Sequence, residues 1–142
     1  MTPTLGVGLI GYAFMGAAHS QAWRTAPHFF DLPLRPELTV LAGRDAVRVA
    51  DAAERLGWSS VETDWHRVLE REDVDLVDVC TPGDTHAEIA IAALEAGKHV
   101  LCEARMAMNA AEARAMLAAS RRHPSLVAQI VPSPFTLEVA LR

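Results

Sequence analysis

The chain has 142 residues, a net charge of −5 and 51% hydrophobic residues, which is the composition of a globular domain with one core. It has no basic run that would favour nucleic acid or an anionic membrane as a partner, and no apolar run of membrane-spanning length. Two cysteines, Cys80 and Cys102, do not make a disulfide framework, so a cytoplasmic location is expected.

The first element is an apolar strand predicted over residues 5–10, followed by a glycine turn and a helix predicted over residues 14–26. A strand, a glycine turn and a helix open a dinucleotide-binding βαβ unit. Gly11 would make the tight turn, and Gly16 would let the helix pack closely on the strand. The helix N-terminus would present free N–H groups to a pyrophosphate. Ala13 replaces the middle glycine of G-x-G-x-x-G, so a purely structural strand–turn–helix is the alternative.

Strands and helices alternate along the rest of the chain. Three prolines predict that residues 25–37 are a loop that ends the first helix. Further strands are predicted over residues 38–42, 61–63, 74–79, 99–102 and 126–131. Helices are predicted over residues 45–57, 64–69, 85–96 and 109–122. Two of these helices are expected to begin with capping boxes, formed by Thr85 with Glu88 and by Asn109 with Glu112.

This alternation predicts an α/β domain of the Rossmann type over residues 1–131, doubly wound, with a mainly parallel sheet and helices on both faces. Residues 132–142, after the last predicted strand, are expected to be a tail. Ligands of such sheets bind beyond the carboxyl ends of the strands. Those ends are predicted at residues 11–15, 43–45, 81–83 and 103–106, which would converge on one crevice.

Other reactive side chains are predicted to be structural. Both cysteines are expected to be buried and apolar-like, because their spacing is not that of a redox pair. The six histidines lack metal-ligand spacing, so we expect no metal. Asp78, inside an apolar strand, is interpreted as a hydrogen-bonded structural carboxylate. The tryptophans, at positions 23, 58 and 65, are expected in the core or at an interface rather than in a stacking platform.

Four motifs together resemble the nucleotide-binding half of the Gfo/Idh/MocA family. They are G-Y-A-F-M-G-A-A-H at 11–19, A-G-R-D at 42–45, C-T-P-G-D-T-H-A-E at 80–88 and A-G-K-H-V-L-C-E at 96–103. The resemblance covers roughly residues 5–131 and implies an NAD(P)-dependent oxidoreductase acting on sugars, cyclitols and related small molecules. Family members have a second domain that carries most substrate contacts and the oligomer interface. The resemblance therefore implies that the tail, residues 132–142, is the start of an absent substrate domain.

The resemblance also implies cofactor-binding residues, from motif positions that this sequence matches. The pyrophosphate turn corresponds to Gly11, Ala13, Phe14, Met15 and Gly16. The segment near the nicotinamide corresponds to Thr81, Pro82 and His86, and Glu103 matches a glutamate beside the nicotinamide ribose. His19 matches a histidine common in the first helix, for which helix packing is the favoured interpretation.

The end of the second predicted strand bears on cofactor choice. Gly43 occupies the place of the carboxylate that favours NAD, and Arg44 and Asp45 follow it. A guanidinium suits the 2′-phosphate of NADP as a planar partner with several donors. The sequence therefore favours NADP over NAD, and the alternative is a solvated Arg44 that confers no preference.

One position departs from the family pattern. Ala104 replaces the lysine of the family's E-K-P motif, and alanine cannot support proton transfer. Arg105 is a poor acid, and the family's other catalytic groups belong to the second domain, so no catalytic residue is assigned here.

Three hypotheses follow. The first is an oxidoreductase that is truncated or divergent but keeps cofactor binding, with a small-molecule substrate only if a second domain is supplied. The others are a non-catalytic sensing or scaffold module and an inactive fragment. An uncovered sheet edge would favour a homo-oligomer.

Overall fold

The computed structural model describes residues 2–131, which form six strands and five α-helices. The strands are β1 (Thr4–Ile10), β2 (Arg35–Ala42), β3 (Ser60–Glu62), β4 (Leu76–Val79), β5 (His99–Glu103) and β6 (Ala128–Val131). The helices are α1 (Phe14–Phe29), α2 (Ala46–Leu56), α3 (Trp65–Leu69), α4 (His86–Glu95) and α5 (Ala110–Arg122). All strand pairs are parallel, in the order β3-β2-β1-β4-β5-β6. This order confirms the predicted Rossmann-type fold, with the switch point between β1 and β4.

The single core expected from the composition is wrong, because alternate side chains of the central strands enter two cores, one on each face of the sheet. Val7 and Leu9 of β1 pack in one core with α2 and Trp58. Ile10 of β1 and Val77 of β4 pack in the other core, with α3, α4 and α5. Helices therefore cover both faces, as predicted. The predicted tail, residues 132–142, lies outside the described residues.

The first predicted loop is shorter than expected, because α1 continues through Pro27 to Phe29. Pro27 is exposed, and Phe30 N donates to Ala26 O at 3.0 Å, so the helical pattern resumes beyond the proline. β2 then begins at Arg35 and includes Pro36. β3 pairs only with residues 40–42 of β2, so the edge of β2 that faces β3 is unpaired at Pro36. Proline has no N–H to donate, and at this position no hydrogen bond between strands is lost.

Of the two predicted capping boxes, one is present in the structure and the other is not. The box at Asn109 is confirmed, since its Oδ1 accepts from Glu112 N at 3.0 Å. The Thr85 box is wrong, because residues 83–85 form a 3-10 turn and the Thr85 hydroxyl lies 2.8 Å from Pro82 O. The backbone of the preceding loop thus competes successfully for this hydroxyl. None of the helices in residues 2–131 combines the length and apolar character needed to cross a membrane.

Candidate dinucleotide site

The carboxyl ends of β1, β2 and β4 border an open cavity of about 720 Å³. Ligand sites in proteins commonly have volumes of roughly 300–1,000 Å³. Seven residues assigned to cofactor binding from the sequence line this cavity: Gly11, Ala13, Gly43, Arg44, Asp45, Thr81 and Pro82. The structure therefore brings together three segments that are far apart in the chain, at the edge of the sheet that the strand-end rule indicates.

Two glycines shape the turn between β1 and α1, where side chains cannot fit. Gly11 has φ +99°, and a Cβ there would lie 2.6 Å from Cys80 O. A Cβ on Gly16 would lie 2.0 Å from Gly11 O. Both contacts are with backbone atoms, which cannot move aside as a flexible side chain could. The turn is therefore held tightly between α1 and the end of β4.

The N-terminus of α1 has no side-chain cap. Its N-cap residue is Ala13, and the first turn contains no acidic residue. N–H groups at the start of a helix lack intrahelical partners and carry a partial positive charge. These groups, beside a turn that excludes side chains, fit the diphosphate of a dinucleotide. Phe14 and Met15 begin the helix with exposed side chains outside the cavity lining, and Gly16 is buried beneath the turn.

The end of β2 combines two guanidinium groups with one carboxylate. Asp45 is the N-cap of α2, and its Oδ1 accepts from Val47 N and Arg48 N at 3.1 and 3.0 Å. Arg48 lines the cavity beside Arg44, with its Nε 3.6 Å from Asp45 Oδ2. Sequence reasoning missed Arg48, although its place three residues after a helix cap puts it at the same strand end.

The end of β3 also contributes to the cavity, which sequence reasoning did not anticipate. Thr63 and Trp65 follow β3 and line the wall of the cavity. Trp65 is partly buried and stacks on His66 with ring centroids 3.7 Å apart. The strand-end rule could have found both residues, since β3 lies next to β2 in the sheet.

His86 lies behind the cavity rather than in its lining. Its side chain is buried, with Nε2 2.7 Å from Thr81 O and Nδ1 2.8 Å from Arg105 O. Each carbonyl oxygen can accept a hydrogen bond from the ring nitrogen that faces it, when that nitrogen carries a proton. His86 thus links the loop after β4 to the segment after β5.

We expect His86→Gln to lower the free energy of unfolding by about 2 kcal/mol, because an amide cannot bridge Thr81 O and Arg105 O as the buried ring does and a buried polar contact is lost. Urea denaturation of the variant measures this loss. His28→Gln, which changes an exposed imidazole near the end of α1, is the control and should stay within about 0.5 kcal/mol. A His86→Gln variant as stable as the wild type would contradict the linking role of His86.

Residues 103–106 do not line the cavity, contrary to the expected convergence of four strand ends. Glu103 belongs instead to a second buried group, which we name the ion cluster: His19, Asp78 and Glu103. His19 Nδ1 lies 2.9 Å from Asp78 Oδ2, and His19 Nε2 lies 2.8 Å from Glu103 Oε1. The hydrogen bond to Asp78 is the main cause that raises the pKa of His19 from 6.5 to about 9, although burial alone would lower it. His19 therefore carries a positive charge at neutral pH.

The contacts of Asp78 confirm that it is a structural carboxylate. It is fully buried and accepts from Trp23 Nε1 at 2.7 Å as well as from His19. His19 does pack α1 against the sheet, as the sequence indicates, but it does so through charged hydrogen bonds.

Cys80 and Cys102 are free and buried, as predicted. Burial is the main cause that raises the pKa of both thiols, that of Cys102 to about 12, and Asp78 adds to it. Neither thiol is therefore an activated nucleophile. His19, Asp78 and Cys80 place potential metal-ligand atoms within 4.8 Å of one another, but hydrogen bonds within the cluster account for that proximity. The expectation that the chain binds no metal stays a prediction.

Comparison with known proteins identifies a family. A family model described as "Oxidoreductase family, NAD-binding Rossmann fold", of the Gfo/Idh/MocA group, matches residues 5–130. Levoglucosan dehydrogenase of Pseudarthrobacter phenanthrenivorans is 45% identical over 113 residues, which cover 79% of this chain and 29% of that protein.

Solved structures agree with this result. An oxidoreductase domain protein from Kribbella flavida is 66% identical, with a TM-score of 0.88 over 90% of this chain and 35% of that one. A levoglucosan dehydrogenase in complex with NADH and levoglucosan is 41% identical, with a TM-score of 0.87 over 89% of this chain and 34% of that one. The chain thus spans about a third of the length of these relatives. It belongs to the Gfo/Idh/MocA oxidoreductase family, and it corresponds to the NAD-binding Rossmann domain of that family.

Proposed function

We propose that this chain is the cofactor-binding part of an NAD(P)-dependent oxidoreductase acting on a hydroxyl or carbonyl carbon of a sugar, cyclitol or related small molecule. The observation that carries the proposal is the cavity formed by the Gly11 turn, the Gly43 corner and the Thr81 loop. The 41% identical relative of known structure is a levoglucosan dehydrogenase with NADH, which supports a sugar-like substrate. When bound, the nicotinamide supplies or accepts the hydride.

In this proposal, each segment of the cavity wall has its own role. The first N–H groups of α1 bind the pyrophosphate, and Gly11 and Gly16 keep side chains out of the turn. Thr81 and Pro82 line the nicotinamide end, with the Thr81 hydroxyl held 2.7 Å from the Thr85 hydroxyl. Glu103 is assigned to the nicotinamide ribose by family resemblance.

Ala104 favours a second candidate function. It occupies the position of the family's E-K-P lysine, and its N–H donates to Glu103 Oε2 at 2.9 Å. No ionisable group stands at that position to transfer a proton. A non-catalytic dinucleotide sensor or scaffold is therefore the alternative, with an inactive fragment as the third.

Association of copies through the outer edge of β6, unpaired within residues 2–131, stays a prediction.

Titration with NADH and NADPH in parallel tests the proposal. Nicotinamide fluorescence reports binding, and energy transfer from Trp65 in the cavity wall provides a second signal. Binding, together with reduction of added NAD⁺ or NADP⁺ by levoglucosan or another sugar, supports the oxidoreductase. Binding without turnover favours the sensor or scaffold, and the absence of binding to either cofactor leaves the inactive fragment.

For cofactor choice we propose that Arg44 contacts the 2′-phosphate of NADP. NAD is the alternative cofactor, because the levoglucosan dehydrogenase relative is in complex with NADH. We expect Arg44→Glu to weaken NADPH binding at least about tenfold and NADH binding by less than about twofold, because only NADPH carries the phosphate. Isothermal titration measures both affinities. Arg55→Glu is the matched control, since it reverses the same charge at an exposed position on α2 outside the cavity lining. Equal weakening of both cofactors by the Arg44 variant would contradict the assignment.

A further inference from the structure

We propose that His19 is a positioning residue of the dinucleotide site, joining α1 to β4 and to the end of β5 so that the turn after β5 stays in place. The ring of His86 connects that turn to the cavity wall, because it lies between Arg105 O and Thr81 O. This inference rests on the proposed function, in that it takes the crevice to be the cofactor site. It assigns His19 a role beyond the helix packing that its buried position alone would suggest.

The geometry of the ion cluster carries the proposal. His19 bonds to side chains 59 and 84 residues further along the chain, one on β4 and one at the end of β5. The same helix begins at the glycine turn of the cavity, so the cluster connects that turn to two strand ends. Because carboxylates only accept hydrogen bonds, His19 makes both contacts only as an imidazolium.

Glu103 is the partner that depends most on His19. Asp78 also accepts from Trp23 and lies near the Cys80 thiol, so it keeps donors without His19. Within residues 2–131, the other hydrogen bond of the Glu103 carboxylate is from Ala104 N at 2.9 Å. Loss of one His19 proton would leave a buried carboxylate short of a donor and would release the turn that begins at Ala104.

Above neutral pH, the cluster contains one group that titrates near pH 9. The groups that face His19 are Asp78 and Cys80 from β4, and Glu103 with neighbouring Cys102 from β5. Both cysteines are neutral through pH 10, since burial raises the pKa of each thiol. The pKa of His19 is about 9, so a change in the turn with a midpoint near that pH reports His19.

The test measures NADH affinity of the whole chain and of His19→Gln between pH 7 and 10. We expect wild-type affinity to fall roughly tenfold through pH 9, and the variant to bind about tenfold more weakly at pH 7.5 with no such step. His28→Gln, which changes an exposed imidazole in the last turn of the same helix, should keep the wild-type profile. If His19 has only a structural role, His19→Gln will lower the NADH affinity but the fall in affinity near pH 9 will remain.

A second measurement needs neither cofactor nor variant. The amide signal of Ala104 in wild-type NMR spectra should shift with a midpoint near pH 9, together with the His19 ring signals. An Ala104 amide that does not follow His19 overturns the inference, as does wild-type NADH affinity that is constant from pH 7 to 10. If the Ala104 amide follows His19 and the chain binds neither NADH nor NADPH at pH 7.5, then the proposed function fails while the coupling stands.

Discussion

Gly16→Ala is expected to weaken NADH binding about a hundredfold, which equals two charge-assisted N–H bonds of ~1.5 kcal/mol each. The added Cβ would lie 2.0 Å from Gly11 O, so α1 must move away from the turn, and its first N–H groups move with it. The same displacement should lower the free energy of unfolding by ~2 kcal/mol. Fluorescence titration and urea denaturation measure the two effects.

Gly97→Ala is the matched control for this variant. Gly97 has φ +78°, so alanine there is strained by about 1 kcal/mol, but no atom lies within 4 Å of the new Cβ. We expect the control to lose stability and keep its NADH affinity. If Gly16→Ala binds NADH as tightly as the control does, then the N–H groups of α1 do not hold the diphosphate.

Asp78→Asn is expected to lower the free energy of unfolding by about 3–5 kcal/mol at pH 7, because it leaves the buried His19 charge with one carboxylate in place of two. Asp78 is fully buried and is the largest cause of the raised His19 pKa. An amide of the same shape keeps the packing, so the loss measures the charge and not a cavity. Urea denaturation at several pH values gives the result.

The loss of stability caused by Asp78→Asn should become smaller as the pH rises. The pKa of His19 rises from 6.5 to about 9 on folding, a gain of about 3 kcal/mol. That stabilisation is complete below about pH 6.5 and is lost as the pH rises through 9. The gap between wild type and Asp78→Asn should therefore narrow from pH 7 to pH 10. Asp73→Asn, at an exposed carboxylate, should show no such change, and a gap that stays constant for Asp78→Asn would contradict the charge of His19.

Much of the fold could be predicted, because local signals and global topology agree. The continuous apolar strands and the cap at Asn109 both hold in the structure. The failures occur where tertiary context overrides a local rule. Pro27 stays helical at an exposed position, and the Thr85 hydroxyl bonds to the preceding loop instead of capping α4.

The candidate site was predictable to the extent that it follows strand ends. Gly11, Gly43 and Thr81 each come directly after a strand or one residue later, so the topology alone brings them together. The ion cluster was not predictable, because His19 and Glu103 are 84 residues apart and no spacing rule relates them. Their contact depends on how deeply α1 packs against the sheet.

The close approach of Tyr12 to Gly43 has a consequence for redesign. A Cβ on Gly43 would lie 2.0 Å from a ring carbon of Tyr12, so the aromatic ring fills the volume where an NAD-selecting carboxylate would stand. Replacing Gly43 alone with an acidic residue would displace the ring of Tyr12. Engineers who wish to exchange one coenzyme for the other must therefore rewrite residues 12 and 43 as a coupled pair.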